Sequence, residues 1–530
     1  MSDDATSGGL PDNAYRELAP GEHYQPIVPS SATVPEITSR SIVFGLAMTA
    51  LFSAAAAYLA LKLGQGIESA IPIAILAIGY SAIARRKSTL LENVNIVTLG
   101  ACAGIVVGGS TFTMPAIFIL GLEKQSSFAQ ILLVPLLGAI LGVFFLIPFR
   151  RFFVVEMHGK LPFPEATATT EILVAGGRGG RQALVLLVSM CVGFVTDFLA
   201  LHFGAWRDTF TTTMIPALHR LTDDVKAIFV LNTSAAVLGL GYIVGLRYAT
   251  IIAGGSFLSY YVFVPLVGAT AALSPAPLFP GRPPVAGLGA QAIFSEYVRY
   301  IGIGAIFAAG VLSVLKMSPV IVQAVSRVLG EFRRIGRGDE AAARTDRDIP
   351  IGAVLGGTVI LAIALFLYFR FAVLSGTPGA TSISAVSLLL TFGIAFLFAA
   401  VSAWAIAMIS TTPISGMTLT PLIISAGVLS ALGLSGQSGM LSVLLIGGVV
   451  CTALSMTGSM VTLLKVGYWT GATPRRIELT LMAGSVVAAV TVTAVMFIFA
   501  QVYGFAPSPQ HPNPVAAPQA NAMAAVISSV

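Results

Sequence analysis

The stretch TFGIAFLFAAVSAWAIAMISTTPISGMTLTP, residues 391–421, decides the class of this protein. It lies within a run of 94 residues, from Phe371 to Leu464, that contains no Asp, Glu, Lys, Arg or His. A helix needs roughly 20 consecutive apolar residues to cross about 30 Å of hydrocarbon. Such runs recur along the chain, whose mean hydropathy is +0.89. The sequence therefore predicts an all-α polytopic integral membrane protein.

Apolar runs of sufficient length predict about thirteen transmembrane helices. They lie at residues 41–61, 69–84, 93–120, 128–149, 182–202, 228–246, 248–270, 299–316, 350–369, 385–410, 415–433, 440–459 and 477–503. With the N-terminus in the cytoplasm, most of the 29 Lys and Arg residues lie in cytoplasmic loops, as the positive-inside rule requires. Because the basic residues are spaced between apolar runs, they set membrane orientation and do not form a nucleic-acid footprint.

The spans divide the chain into five segments. We predict a disordered cytoplasmic tail over 1–40 and a first transmembrane half of eight spans over 41–316. A basic cytoplasmic loop follows over 317–349, and a second half of five spans over 350–503. Residues 504–530 form a last segment too short for a full span.

Two glutamates occur close together in LPFPEATATTEILVAGG, residues 161–177. Pro164 suits the first turn of a helix and Glu165 follows in the position that the helix dipole favours. A helix ending at Ala175 would be about 18 Å long, too short to cross. It is either a capped surface helix with solvated Glu165 and Glu171, or a cytoplasmic half-helix. In the second case Glu165 could bind a substrate amine or carry a proton.

The stretch STTPISGMTLTP, residues 410–421, would interrupt a helix inside the apolar run. Broken backbone at membrane depth is tolerated only inside protein or beside a water-filled cavity. We therefore predict a substrate-binding element that includes Thr412, Ser415 and Thr418. This run offers a polar cargo only hydroxyls, amides and backbone dipoles, so charge recognition or proton coupling must come from elsewhere.

Several other polar residues are candidates for the transport path. Lys62 either pairs with the nearby Glu68 or meets a carboxylate in an outward vestibule. Asp197, in an apolar run, is either a functional acid or a pair satisfied at the membrane interface. Asn93 and Asn95 crowd the cytoplasmic end of the third span.

Five segments together resemble the oligopeptide transporter family, in its bacterial, yellow-stripe-like branch. Residues 161–177 resemble its L-x-F-P-E-G-x-A-x-A-E-V-L-x-A-G signature, and STTPISGMT at 410–418 resembles its S-N-P-x-S-G-M-T element. AAAAYLALKLGQGIESAIP at 54–72 is similar to its first-to-second helix turn, and ENVNIVTLGACAGIVVGGSTFTMPA at 92–116 to its third helix. MTGSMVTLLKVGYWTGATPRR at 456–476 is similar to its D-L-K-T-G-x-x-x-G-A-T-P-R segment. The resemblance covers about residues 35–522.

The resemblance implies a proton-coupled symporter for small peptides or for metal chelates of peptide-like ligands. By position it assigns site roles to the following residues: Glu165, Glu171, Lys62, Asn93, Asn95 and Ser415 to Thr418. Thr412 departs from the family's asparagine, and Leu463 departs from its frequent acid. The family normally has sixteen spans, so this chain is expected to be short at its C-terminus.

We therefore expect a secondary active importer of small oligopeptides that works by alternating access in a bacterial inner (plasma) membrane, with protons and lipid as further partners. The alternative within transport is a carrier of siderophore- or nicotianamine-like chelates. Outside transport the alternatives are a membrane-embedded enzyme, for which no motif is present, or an inactive remnant. The sequence indicates no cofactor and no metal site, and it is compatible with a homodimer.

Overall fold

The fold is described from a computed structural model. It covers residues 10–529 except 65, 67–68, 84–86, 178–180, 208, 271–275, 280–281, 333–342, 410–413, 435 and 512–513; in a few helical stretches only the backbone is described. The chain separates into two compact units, residues 1–183 with 307–530 (unit 1) and residues 184–306 (unit 2).

Helices make up nearly all of unit 1. Those before the unit boundary are α1 (Ser39–Leu63), α2 (Ala70–Ile83), α3 (Leu90–Thr113), α4 (Ala116–Ile119), α5 (Phe128–Leu146) and α6 (Pro164–Gly177). Unit 2 holds α7 (Arg181–Phe203), β1 (Thr209–Thr211), β2 (Val230–Asn232), α8 (Ala235–Val244), α9 (Leu246–Leu258), α10 (Val264–Thr270), α11 (Ala290–Ile293) and the start of α12 (Arg299–Phe332). Unit 1 resumes with α13 (Ile351–Leu367), α14 (Ala380–Ile409), α15 (Ile414–Ala431), α16 (Gly436–Thr470), α17 (Pro474–Val502) and α18 (Pro518–Ser529).

The core of unit 1 is built around α3 and α16. Almost every residue of these two helices is buried, and together they contact α1, α5, α14, α15 and α17. Small residues allow the close approach: a Cβ added at Gly109 would lie 2.4 Å from the Thr452 Cα atom, and one at Gly138 would lie 2.5 Å from the Val449 carbonyl oxygen. In lipid, helices associate through such small-residue contacts because the hydrophobic effect contributes little.

The all-α membrane class is confirmed. Within the described residues, nine helices are long and apolar enough to cross a membrane, and three shorter apolar helices lie at Ala70–Ser81, Val188–Ala200 and Thr418–Ala431. The region 228–246, predicted to be a span, contains instead strand β2 and the ten-residue helix α8. Residues 317–332, predicted as loop, continue α12. Pro319 lies inside that helix. The charged residues that predicted a loop come after Pro319 in the sequence, and the helix continues into them.

Residues 10–38, which we name the N-terminal segment, follow a defined path, unlike the disordered tail predicted over 1–40. Backbone amides of Ile27 and Val28 donate to the carbonyl oxygens of Trp469 and Thr470 at 3.0 and 3.1 Å. The Glu36 carboxylate, 3% exposed, accepts from the Thr473 amide and hydroxyl at 3.0 and 2.7 Å. These pairings fix the segment along the end of α16.

Unit 2 has a small core of its own. The residues packed together there are Ile228, Val264, Val285, Ala290, Ile293, Tyr297 and Val298. Strands β1 and β2 pair antiparallel, with Phe210 opposite Leu231. This two-stranded ribbon was not predicted from the sequence, because three-residue strands give too short a pattern to read.

Candidate functional site

Helix α6 begins with an unusual backbone. Phe163 has φ of 44°, and Pro164 follows as the first helical residue. The helix has 14 residues and is about 21 Å long, too short to cross a membrane. It packs against α2, α3 and α16. It is therefore a half-helix inserted among the helices of unit 1, the second of the two interpretations that the sequence left open.

The two glutamates of α6 lie in different surroundings. Glu165 is 6% exposed, and Ala166, Thr169 and Thr170 near it are fully buried. Glu171 is exposed and accepts a 2.5 Å hydrogen bond from the Tyr15 hydroxyl of the N-terminal segment. Glu165 is thus the acid held inside the protein at the dipole-favoured end of a helix, while Glu171 lies at its surface.

The start of α6 lies beside the end of α14. The Phe163 amide donates to the Ala407 carbonyl oxygen at 2.8 Å. Ala407 is three residues before the predicted break, and α15 begins at Ile414 on its other side. Thr412 lies outside the described residues, and for Ser415 only the helical backbone is described. The structure thus brings the stretch with Glu165 to the end of α14, which precedes residues 410–413 in the sequence; those four residues lie outside the described part of the chain.

Thr418 lies where α15, α16 and α3 meet. Its side chain is fully buried, and its hydroxyl donates to the Cys451 sulfur at 2.7 Å. The Cys451 thiol in turn faces the Gly108 carbonyl oxygen at 3.7 Å. The residue therefore helps to hold the first turns of α15 against the glycine-rich face of α3.

Lys465 is a buried cation that the sequence analysis did not single out. Its side chain is 1% exposed, and its ammonium donates to the Val154 carbonyl oxygen at 2.8 Å and contacts His158 Nδ1 at 3.0 Å. The rings of Tyr468, Trp469 and Phe163 surround it, with centroids 4.7, 5.1 and 5.4 Å from Nζ. Such rings attract a cation through their quadrupoles. We call this arrangement the Lys465 site.

The Lys465 site adjoins the start of α6, because Phe163 belongs to both. His158 is 4% exposed, and its Nε2 lies 2.8 Å from the Asn13 carbonyl oxygen. Burial first, and the charge of Lys465 second, lower the pKa of His158. One feature of the sequence could have identified Lys465 as a buried cation: it ends the uncharged run and lies within an apolar 35-residue helix.

Lys62 lies away from these groups. It occupies the last turn of α1, which ends at Gly64, and the neighbouring Leu61 carbonyl accepts from the Ala517 amide at 2.9 Å. The other end of α1 follows Glu36 on the side of the Lys465 site. Along α1 the two ends are about 37 Å apart, so the structure does not bring Lys62 to Glu165. Glu68, its predicted partner, lies outside the described residues.

Asn93 and Asn95 are buried in the first turns of α3. The Asn95 amide donates to the Thr480 hydroxyl at 2.8 Å and so joins α3 to α17. Before them, Glu92 accepts from the Thr89 amide at 2.8 Å and completes a capping box. These contacts fix the start of a core helix.

Asp197 belongs to unit 2. It accepts hydrogen bonds from the Ala235 amide at 2.7 Å and from the Ser234 hydroxyl at 3.1 Å. Both groups lie at the start of α8, so Asp197 supplies the acceptor that a helix N-terminus needs. This environment matches the interpretation of a satisfied acid.

In the described part of the chain, no three His, Cys, Asp or Glu side chains come together in a way that could hold a metal ion. A groove between α5 and α13 is lined mainly by apolar side chains such as Leu137 and Leu367, and the Tyr368 hydroxyl in it already donates to the Gln130 carbonyl at 3.0 Å. Buried ionisable groups also meet outside the start of α6 and the Lys465 site: Arg150 lies 2.5 Å from Asp348, and the Glu478 carboxylate accepts from the Ile349 amide at 2.8 Å.

Comparison with known proteins identifies the family of this chain. The family model "OPT oligopeptide transporter protein" matches residues 36–530. This chain belongs to the oligopeptide transporter family. A protein of Haemophilus influenzae named "Putative oligopeptide transporter" is 28% identical over 340 residues, which make up 60% of this chain and 48% of that protein. The chain thus spans about half the length of that curated relative.

Two of the segments that carried the resemblance, 161–177 and 456–476, meet in this oligopeptide transporter family member. The signature at 161–177 touches the end of α14 through Phe163 and Ala407. The same Phe163 ring faces Lys465, within the segment 456–476. The first-turn segment at 54–72 lies at the far end of α1. The family assignment and the fold therefore both indicate the start of α6 as the candidate functional site.

Proposed function

We propose that this protein imports small oligopeptides, drives them with the proton gradient and works by alternating access, with Glu165 as the residue that binds the proton or the peptide amine. The N-terminus and the Lys465 site lie on the cytoplasmic side in this proposal. The membrane is the bacterial inner membrane, as the charge distribution of the loops supports.

The observation that carries the proposal is the burial of Glu165 in the first turn of a half-helix, beside the interrupted segment between α14 and α15. Half-helices whose ends point into the protein are the usual ion and substrate sites of secondary transporters. An ionisable group at such depth is costly unless it has a role. Protonation of Glu165 would remove that charge, which gives the carrier two states that differ by one proton.

The test is uptake into proteoliposomes that contain the purified chain. Under an inward proton gradient, a mixed pool of di- to pentapeptides is supplied and the accumulated peptides are identified by mass spectrometry. The wild type is expected to concentrate particular peptides only while the gradient lasts. Glu165→Gln, which mimics the protonated acid, is expected to lose gradient-driven accumulation and to keep exchange of internal for external peptide.

The matched control is Asp197→Asn, which changes an acid of unit 2 that already caps a helix. Its uptake is expected to equal that of the wild type. Normal concentrative uptake by Glu165→Gln would refute the role of Glu165. Accumulation of ferric or other metal chelates, with no peptide accumulated by the wild type, would replace the peptide proposal.

A further inference from the structure

Among the described residues, no carboxylate neutralises the buried cation of the Lys465 site. None of the ion pairs found among the described residues includes Lys465, and its polar contacts are the Val154 carbonyl and His158. Burial of an ammonium without a counterion has a large desolvation free energy, and contacts with aromatic rings and carbonyl oxygens offset only part of it. Such a group is a candidate for a functional role in which it gains and loses a proton.

The hydrogen bonds of the site are compatible with one proton carried either by Lys465 or by His158. When Lys465 carries it, Nζ donates to His158 Nδ1, and the neutral ring donates through Nε2 to the Asn13 carbonyl. When His158 carries it, Nδ1 donates to the amine of Lys465 and Nε2 still donates to Asn13. Both arrangements use the same two contacts, Nζ to Nδ1 at 3.0 Å and Nε2 to the Asn13 oxygen at 2.8 Å. The proton can therefore transfer from Lys465 to His158 without movement of either side chain.

The surroundings of the pair contain few other titratable groups. Tyr24 of the N-terminal segment and Tyr468 of α16 stack on each other, and both rings contact the His158 ring, Tyr24 at a tilt and Tyr468 edge-on. Further out in the N-terminal segment, Glu22 is paired with Arg16 at 2.9 Å. From the loop before α6, Lys160 lies 3.9 Å from Glu17, and on α6 Glu171 accepts from Tyr15. Glu165 begins the same helix two residues after Phe163.

The N-terminal segment closes the site. Asn13 accepts from His158, and the Tyr24 hydroxyl donates to the Trp469 carbonyl at 3.3 Å. Backbone packing is tight here, because a Cβ at Gly159 would lie 2.4 Å from the Arg16 carbonyl oxygen. These contacts cover the His158 ring, which is 4% exposed.

From this geometry we infer that Lys465 and His158 form a proton-release relay on the cytoplasmic side of the transporter, gated by the N-terminal segment. The Nζ–H bond of the ammonium breaks, an Nδ1–H bond forms, and the positive charge moves to the imidazolium. The Nε2–H bond of the imidazolium then breaks and its proton passes to cytoplasmic water, which leaves Lys465 neutral and the ring protonated on Nδ1; rotation of the ring, while the segment is withdrawn, returns that N–H to the Asn13 side before the next proton arrives. This inference rests on the proposed proton-coupled import and adds its exit route.

The decisive variant is His158→Gln. The glutamine amide can accept from Lys465 through its oxygen and donate to Asn13 through its nitrogen, but it cannot take up a proton. In proteoliposomes we expect it to lose peptide accumulation driven by an inward proton gradient, down to the level of protein-free vesicles. Peptide counterflow, which exchanges labelled for unlabelled peptide without a gradient, should persist because it requires no net proton release.

A second variant covers the case in which His158→Gln does not fold. Lys465→Arg keeps a cation and its donors but cannot give up a proton near neutral pH, so it should show the same split between lost accumulation and retained counterflow. His219→Gln is the matched control: it makes the same substitution at an exposed histidine of unit 2, which faces Asp223 at 3.0 Å, and should accumulate peptide like the wild type.

The outcomes separate the relay from the proposed function. A wild type without gradient-driven accumulation would overturn proton coupling itself, and the relay with it. A proton-driven wild type with an equally proton-driven His158→Gln would overturn the relay alone. Loss of counterflow together with accumulation, in a variant whose gel-filtration and thermal unfolding profiles are normal, would assign His158 to packing or substrate binding and also overturn the relay.

Discussion

Two buried charges close to the end of α16 have opposite environments. Glu36 lies 2.7 Å from the Arg344 guanidinium and 3.7 Å from that of Arg476, and it also accepts from Thr473. Lys465 is more deeply buried, and the described residues around it offer a carbonyl, a neutral ring nitrogen and aromatic faces but no carboxylate. A buried charge with counterions holds elements together, whereas one without them is poised to lose its charge.

The largest effect on stability is expected from Glu36→Gln. The change leaves Arg344 without its counterion where the N-terminal segment meets α17, and breaking a buried pair costs about 3 kcal/mol. Thermal unfolding in detergent should therefore shift to clearly lower temperature. The control is Glu22→Gln at the exposed Arg16 pair, where solvent screens the charges and no shift is expected. Equal unfolding temperatures for the two variants would contradict a structural role for Glu36.

Lys465→Met should behave in the opposite way. It removes a buried charge and its desolvation cost, and the thioether fits among the aromatic rings. The lost hydrogen bond to the Val154 carbonyl costs about 1 kcal/mol. Stability should stay near that of the wild type while gradient-driven peptide uptake disappears. Destabilisation as great as that of Glu36→Gln would show that the two charges serve the same purpose.

A smaller effect is expected from pH. Because the folded-state pKa of His158 is lowered from 6.5, the unfolded chain binds the proton at higher pH than the folded chain. Its contribution to stability is therefore present above pH 6.5 and is lost as the pH falls toward the folded-state pKa. The unfolding temperature of the wild type should fall more between pH 7.5 and 5.5 than that of His158→Gln. Parallel curves would mean that His158 does not have a lowered pKa.

The smallest effect is expected from Tyr15→Phe. It removes the hydroxyl that donates to Glu171 at an exposed position. Water replaces such a bond at little cost, so unfolding temperature and uptake should both match the wild type. A marked loss of uptake would show that the contact between the N-terminal segment and α6 controls transport more directly than the cover over His158.

The sequence predicted the helical fold well because long apolar runs leave little freedom in a membrane. Helices α1, α3, α5, α14 and α17 match predicted spans closely. The contacts of the N-terminal segment over residues 10–38 were not predicted, because its polar composition gave no sign of partners more than 400 residues away. Ile27 pairs with Trp469 through backbone groups, which any residue can provide.

The candidate site was predictable only in part. Prolines and an early glutamate marked α6, but whether Glu165 was solvated or buried depended on α2, α3 and α16 packing around it. Lys465 was missed because its importance comes from His158 and Phe163, which are about 300 residues earlier in the chain. Lys62 was included by position in a motif, and the length of α1 separates it from the start of α6.

The most direct test of proton-coupled import is to follow the pH inside proteoliposomes as peptide is added outside, with no proton gradient imposed. The account predicts that an inward peptide gradient acidifies the lumen of vesicles containing the wild type. It predicts no acidification with Glu165→Gln, although that variant still exchanges peptide. Peptide entry into wild-type vesicles without any acidification of the lumen would contradict the account.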